Sequence, residues 1–99
     1  MKLYKDSELT KEVKHDKLDF GMVLAGDTQE YTYYVYNDTT AELASLSFNT
    51  ENPEVKVIEA PEILKPFGSS VLKIKWSPSI TLKEGLKSHL RVKGFEVYS

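Results

Sequence analysis

The chain has 99 residues, 40% of them apolar and 11% aromatic, and its 13 basic and 15 acidic side chains leave a net charge of -2. That is enough apolar matter for one core, so wholesale disorder is excluded, and the near-neutral balance argues against a general nucleic-acid binder. With no cysteine, disulfides, thiolate metal sites and cysteine catalysis are excluded. The opening Met1-Lys2-Leu3-Tyr4-Lys5-Asp6 is polar, no apolar run follows it, and no stretch approaches the ~18–20 apolar residues of a membrane helix. The expectation is a complete small product, cytoplasmic when made, with no signal peptide.

Period-two patterning, broken by Gly, Pro, Asn and Asp every ~8–12 residues, predicts short strands rather than helices. Residues 2–13 read as a hairpin around Lys5-Asp6-Ser7-Glu8 or as an arm, and 14–16 as a charged joint. Leu18-Asp19-Phe20 is a short strand with Leu18 and Phe20 on one side, and Gly26-Asp27-Thr28 is a turn. Residues 29–36 form the clearest strand: Tyr31, Tyr33 and Val35 share one face, and Glu30, Thr32, Tyr34 and Tyr36 share the other. Asn37-Asp38-Thr39 turns the chain and happens to match the N-glycosylation pattern.

Residues 43–48 are the next strand, and because Leu43 and Leu46 are three apart, the alternation slips and a bulge is expected there. Val55 and Val57 start another strand, with Ile58 opposite, and Pro61 and Pro66 frame an extended crossover. Residues 71–76 are a clean strand with Leu72, Ile74 and Trp76 on one side. A helical turn is the best reading of 80–87, with Ser79 as its cap. The last strand spans 86–98, and Phe95 and Val97 beyond Gly94 suggest a bulge or bend at the glycine. Seven or eight such strands predict an all-β, immunoglobulin-like β-sandwich of two sheets over residues 17–99. Its expected core is Phe20, Tyr33, Val35, Phe48, Leu72, Ile74, Trp76, Leu90 and Val92.

The order of several short motifs carries a resemblance. Leu18-Asp19-Phe20-Gly21, Gly26-Asp27-Thr28, a strand ending in Asn37, Pro53 with Val55 and Val57, Leu64-Lys65-Pro66 with Gly68, and Trp76-Ser77-Pro78 together resemble Hydin-type (ASH/MSP-like) immunoglobulin-like domains over about residues 17–94. Phe67 departs from that pattern by separating Pro66 from Gly68. The resemblance implies a non-catalytic scaffolding or protein-binding module, because the fold itself hosts many functions. A small stand-alone chain of this kind also looks similar to tailed-bacteriophage structural proteins.

No nucleophile, phosphate or metal motif is present, so neither catalysis, a metal nor a cofactor is expected. His15-Asp16 reads as part of a solvated joint and Asp16 with Asp19 as a weak metal pair. Tyr34 and Tyr36 are either ordinary strand packing or an anchor patch for a partner. Residues 1–62 hold six basic and thirteen acidic side chains, whereas 63–99 hold seven and two. The outward positions Lys73, Lys75, Lys87, His89, Arg91 and Lys93 are expected on neighbouring strands, which would make one basic face for an acidic partner or for further copies. The function expected is therefore a non-enzymatic structural or protein–protein interaction module: a bacteriophage virion structural or capsid decoration protein whose partner is a capsid or tail protein or copies of itself, with a host scaffolding or adaptor module of the Hydin type as the alternative. No small-molecule substrate, nucleic acid or membrane is expected as a partner.

Overall fold

A computed structural model describes residues 1–14, 18–21, 23–50, 52–79, 86–88 and 90–97. Its strands are β1 (Lys2–Tyr4), β2 (Glu12–Val13), β3 (Leu18–Gly21), β4 (Gln29–Tyr36), β5 (Glu42–Thr50), β6 (Val55–Glu59), β7 (Ser69–Trp76), β8 (Leu86–Ser88) and β9 (Leu90–Val97). One layer is a five-stranded antiparallel sheet in the order β2-β1-β4-β7-β6, and the β3–β8 and β5–β9 ladders lie opposite it. No helix occurs among the described residues. Side chains from both layers meet in one core, from Leu3, Tyr33, Val35, Val55, Leu72, Ile74 and Trp76 on one side to Leu18, Phe20, Leu43, Phe48 and Leu90 on the other. The architecture is an all-β sandwich of antiparallel sheets. The described residues hold nine strands against the expected seven or eight: the hairpin supplies two, and β8 and β9 both fall within the single strand expected over 86–98. Of the helical turn expected at 80–87, residues 80–85 lie outside the described residues, and Leu86 and Lys87 belong to strand β8 instead.

Alternation builds the centre of the sheet. β4 and β7 pair over eight residues from Gln29↔Trp76 to Tyr36↔Ser69, so Tyr33 and Val35 point inward with Leu72 and Ile74. Phe20 packs against both Tyr31 and Trp76, its ring tilted to theirs and the centroids 4.8 and 6.4 Å away. All nine expected core residues face the interior, eight of them buried and Val92 half-buried against them.

The corner after β4 is fixed by hydrogen bonds, and fully buried Asn37 makes most of them. Its amide nitrogen donates to the carbonyls of Ala41 (2.7 Å), Leu64 (3.1 Å) and Lys65 (3.1 Å), and its side-chain oxygen accepts from the Thr39 N–H (3.0 Å) and hydroxyl (2.7 Å). The Asn37 N–H donates to Gly68 O at 2.9 Å. One side chain thus ties the end of β4, the start of β5, the crossover and the turn into β7. At that turn Pro66 and Phe67 occupy the two central positions, closed by Gly68 N–H to Lys65 O at 2.9 Å, and Phe67 takes a left-handed φ of 57°, which costs a bulky residue ~1–2 kcal/mol. The crossover is extended as expected, and Leu43 and Leu64 exchange two 2.8 Å backbone bonds.

The bulge expected near Leu43 and Leu46 is present, but none forms at Gly94. Ala44 faces Phe95 and Ser47 faces Lys93, so Ser45 and Leu46 together oppose Gly94, and Ser45 takes a φ of 54°. The extra residue is therefore in β5. Gly94 is needed for close approach instead: a Cβ there would stand 2.6 Å from Leu46 Cδ2. With no residue inserted in β9, its alternation runs unbroken, and Phe95 and Val97 point outward, not into the core.

Candidate protein-binding faces

The outer face of the five-stranded sheet carries the tyrosines. Tyr34 and Tyr36 lie on it half-buried, as does Tyr4, which stands opposite Tyr34 in β1. The Tyr4 and Tyr36 rings meet edge to face at 6.5 Å and 68°. Hence part of the surface of Tyr36 is spent on packing within the sheet and part is offered outward. Tyr31 and Tyr33 take the opposite face, where the Tyr31 hydroxyl donates to Phe20 O.

The basic positions do not form one face. Lys73 and Lys75 lie in β7, flanked on both sides by β4 and β6. Arg91 and Lys93 lie in β9, in the opposing layer. These strands are not neighbours because the crossover returns the chain to the sheet containing β4, and a strand's own pattern does not encode which layer it joins. Lys73 is also matched locally, reaching Glu59 at 3.5 Å, whereas Lys75 stands between Glu30 on β4 and Lys56 on β6. Lys87 contributes its backbone to β8, His89 lies outside the described residues, and so do His15 and Asp16.

The β5–β9 ladder presents a different surface. Arg91, Lys93, Phe95 and Val97 are successive outward positions of β9, and all four are exposed. Opposite them stand Asn49, Ser47, Ala44 and Glu42. The Leu43↔Leu64 bridge sets Ile63 beside Ala44 on the same outward side. Phe95 is 70% exposed and Ile63 55%; Ala44 between them is too small to cover either ring or branch. Two strand spacings separate Ile63 from Phe95, about 10 Å. The row therefore passes from a polar end, where Asn49, Thr50, Arg91 and Lys93 line an open depression of about 570 Å³, to an apolar end. Sequence reasoning missed Phe95, Val97, Ile63 and Tyr4 as surface residues. For β9 the signal was available: the spacing of two from Arg91 continues unbroken to Val97.

Two carboxylates are held below the usual range. Asp6 accepts from the Thr10 hydroxyl, the main cause, and from the Thr10 and Lys11 N–H groups. Asp38 pairs with the Met1 amino group at 3.1 Å. Asp6 thus closes the turn of the hairpin, and Asp38 ties the Met1 amino group to the turn after β4. Among the described residues no three His, Cys, Asp or Glu side chains converge as a metal site would require, and no helix is long and apolar enough to cross a membrane. Comparison with protein-family models, curated proteins and solved structures finds no match to this chain.

Proposed function

We propose that this chain is a non-enzymatic protein–protein interaction module whose contact surface includes the outward row of β9. The observation that carries this reading is the exposure of Phe95, Val97 and Ile63 together, beside Arg91 and Lys93. An aromatic with adjacent aliphatic and arginine side chains is the composition of binding hot spots, and large apolar groups gathered on one surface mark interaction sites. The Tyr4, Tyr34 and Tyr36 face is a second contact surface on the other side of the same rigid sandwich. A module with two opposed faces suits repeated assembly, and the finer form of the proposal is a structural or decoration component of a bacteriophage virion. The ordered motifs from Leu18 to Pro78 favour a second reading, a scaffolding module like the Hydin-type domains.

A tagged chain recovered from lysate with intact particles sedimented in parallel tests both. Co-purification of a capsid or tail protein, with the chain in the particle pellet, supports the virion reading. Recovery with cytoskeletal or envelope proteins and absence from the pellet replaces it with the scaffolding module. In either case Phe95→Thr with Lys93→Glu is expected to reduce capture at least tenfold. Undiminished capture removes the β9 row from the contact surface.

A further inference from the structure

The β1–β2 hairpin is a self-contained unit. Lys5 N–H donates to Lys11 O at 2.9 Å and Leu9 N–H to Asp6 O at 3.2 Å. The Asp6 carboxylate gathers the Thr10 and Lys11 N–H groups and the Thr10 hydroxyl. None of these bonds involves the body of the sandwich. Its attachment to that body is narrow by comparison. β1 pairs with β4 at three positions, Lys2↔Tyr36, Leu3↔Val35 and Tyr4↔Tyr34, and the segment is tied further by the Met1 amino group to Asp38 and by the Tyr4 ring against Tyr36. Leu3 alone is fully buried there, with Met1 and Val13 half-buried around it. The hairpin therefore keeps its own hydrogen bonds when it leaves, while the sandwich is left with an open strand edge and an uncovered apolar seat, centred on the Leu3 site and rimmed by those of Met1 and Val13.

We infer that the β4 edge is a strand-docking site whose alternative occupant is the β1–β2 hairpin of a second copy of this chain. An open edge demands a strand with backbone donors and acceptors in register. The seat demands an apolar side chain at its centre, flanked by outward Lys and Tyr, and the segment that meets both demands is the one already seated there. Exchange with an identical element replaces every contact by its equal, so it costs little beyond association. The inference is independent of what the outer faces bind.

The cysteine-free chain makes the test direct. Residues directly opposite on paired strands lie within disulfide reach. Tyr4→Cys chains are mixed with Tyr34→Cys chains, concentrated to ~1 mM, diluted and oxidised; a Lys2→Cys and Tyr36→Cys mixture repeats the measurement at the next outward pair. The expected result is a disulfide-linked dimer on non-reducing electrophoresis, at least fivefold more abundant in each mixture than in either chain alone and increasing with concentration. Monomers throughout, while the Tyr4→Cys/Tyr34→Cys double variant closes its own disulfide, overturn the inference. So does a Tyr34→Cys chain that dimerises alone as well as the mixture does, because the contact is then between outer faces.

Discussion

Asn37 and Phe95 sit at opposite extremes of the same principle. Near the start of β5 the sandwich buries a polar side chain completely, while on the facing strand it leaves a phenylalanine 70% exposed. The buried amide is stable because every polar atom of its side chain is paired, with three carbonyl acceptors on one end and the Thr39 donors on the other. The phenylalanine is exposed because the bulge in β5 sets Ala44 opposite it, and alanine covers nothing. Polarity alone thus predicts neither position. What decides the first is satisfaction of hydrogen bonds, and what decides the second is strand register.

Substitutions sharpen that contrast, beginning with the largest effect. Trp76 is buried in the core, yet its indole N–H has no partner among the described residues. Trp76→Ala is expected to cost ~3–5 kcal/mol in denaturant unfolding. Trp76→Phe should cost less than half as much, since the unpaired N–H leaves with the indole; equal losses would show that this N–H is satisfied after all. Asn37→Ala should cost about 3 kcal/mol, because the carbonyls of Ala41, Leu64 and Lys65 lose their donor. A loss under ~1 kcal/mol would break the comparison, for the corner would then be held by something other than the amide. Phe67→Gly should raise stability by ~0.5–1 kcal/mol, the relief of its positive φ less the entropy glycine adds to the unfolded chain.

Phe95→Thr keeps a good strand former and should change stability by less than ~0.5 kcal/mol while weakening association; a loss of several kcal/mol would mean that the ring is packed and the exposed row illusory. The smallest effect is on pH. Asp6 is held below its ordinary value of 3.8, chiefly by the Thr10 hydroxyl, so its contribution is present above that value and lost as pH falls through the lower, folded-state one. Protection of the hairpin amides, taken as exchange relative to the intrinsic rate at each pH, should therefore fall on acidification more in the native chain than in Asp6→Asn. Parallel behaviour of the two would remove Asp6 from the account.

The sequence was most legible where one strand's pattern settles its own geometry. The inward run Leu72, Ile74, Trp76 and its neighbour Tyr33, Val35 required only alternation. The bulge in β5 was visible in the spacing of Leu43 and Leu46. Leu3 was not legible as core: it is a single leucine among Lys2, Tyr4 and Lys5, and its burial depends on β1 finding the edge of β4. The same limit explains the basic residues. Their outward parity could be read, but whether β7 and β9 would be neighbours depended on topology, a property of the whole chain. At Gly94 the error was of a different kind. Two apolar residues were assumed to seek the interior, and a second bulge was expected at the glycine to send them there, whereas the extra residue lies in β5 alone.

The corner built on Asn37 also sets an order of events. Asn37-Asp38-Thr39 is an acceptor sequence for N-linked glycan, yet in the folded chain its amide is sealed among three carbonyls. Were the protein routed through a secretory host, sugar transfer and corner closure would compete for the same nitrogen. A glycan could be attached only to a chain in which β4 had not yet met the crossover, and once attached it would bar that meeting. The fraction of glycosylated product would then act as a clock, recording how long the corner stays open during folding.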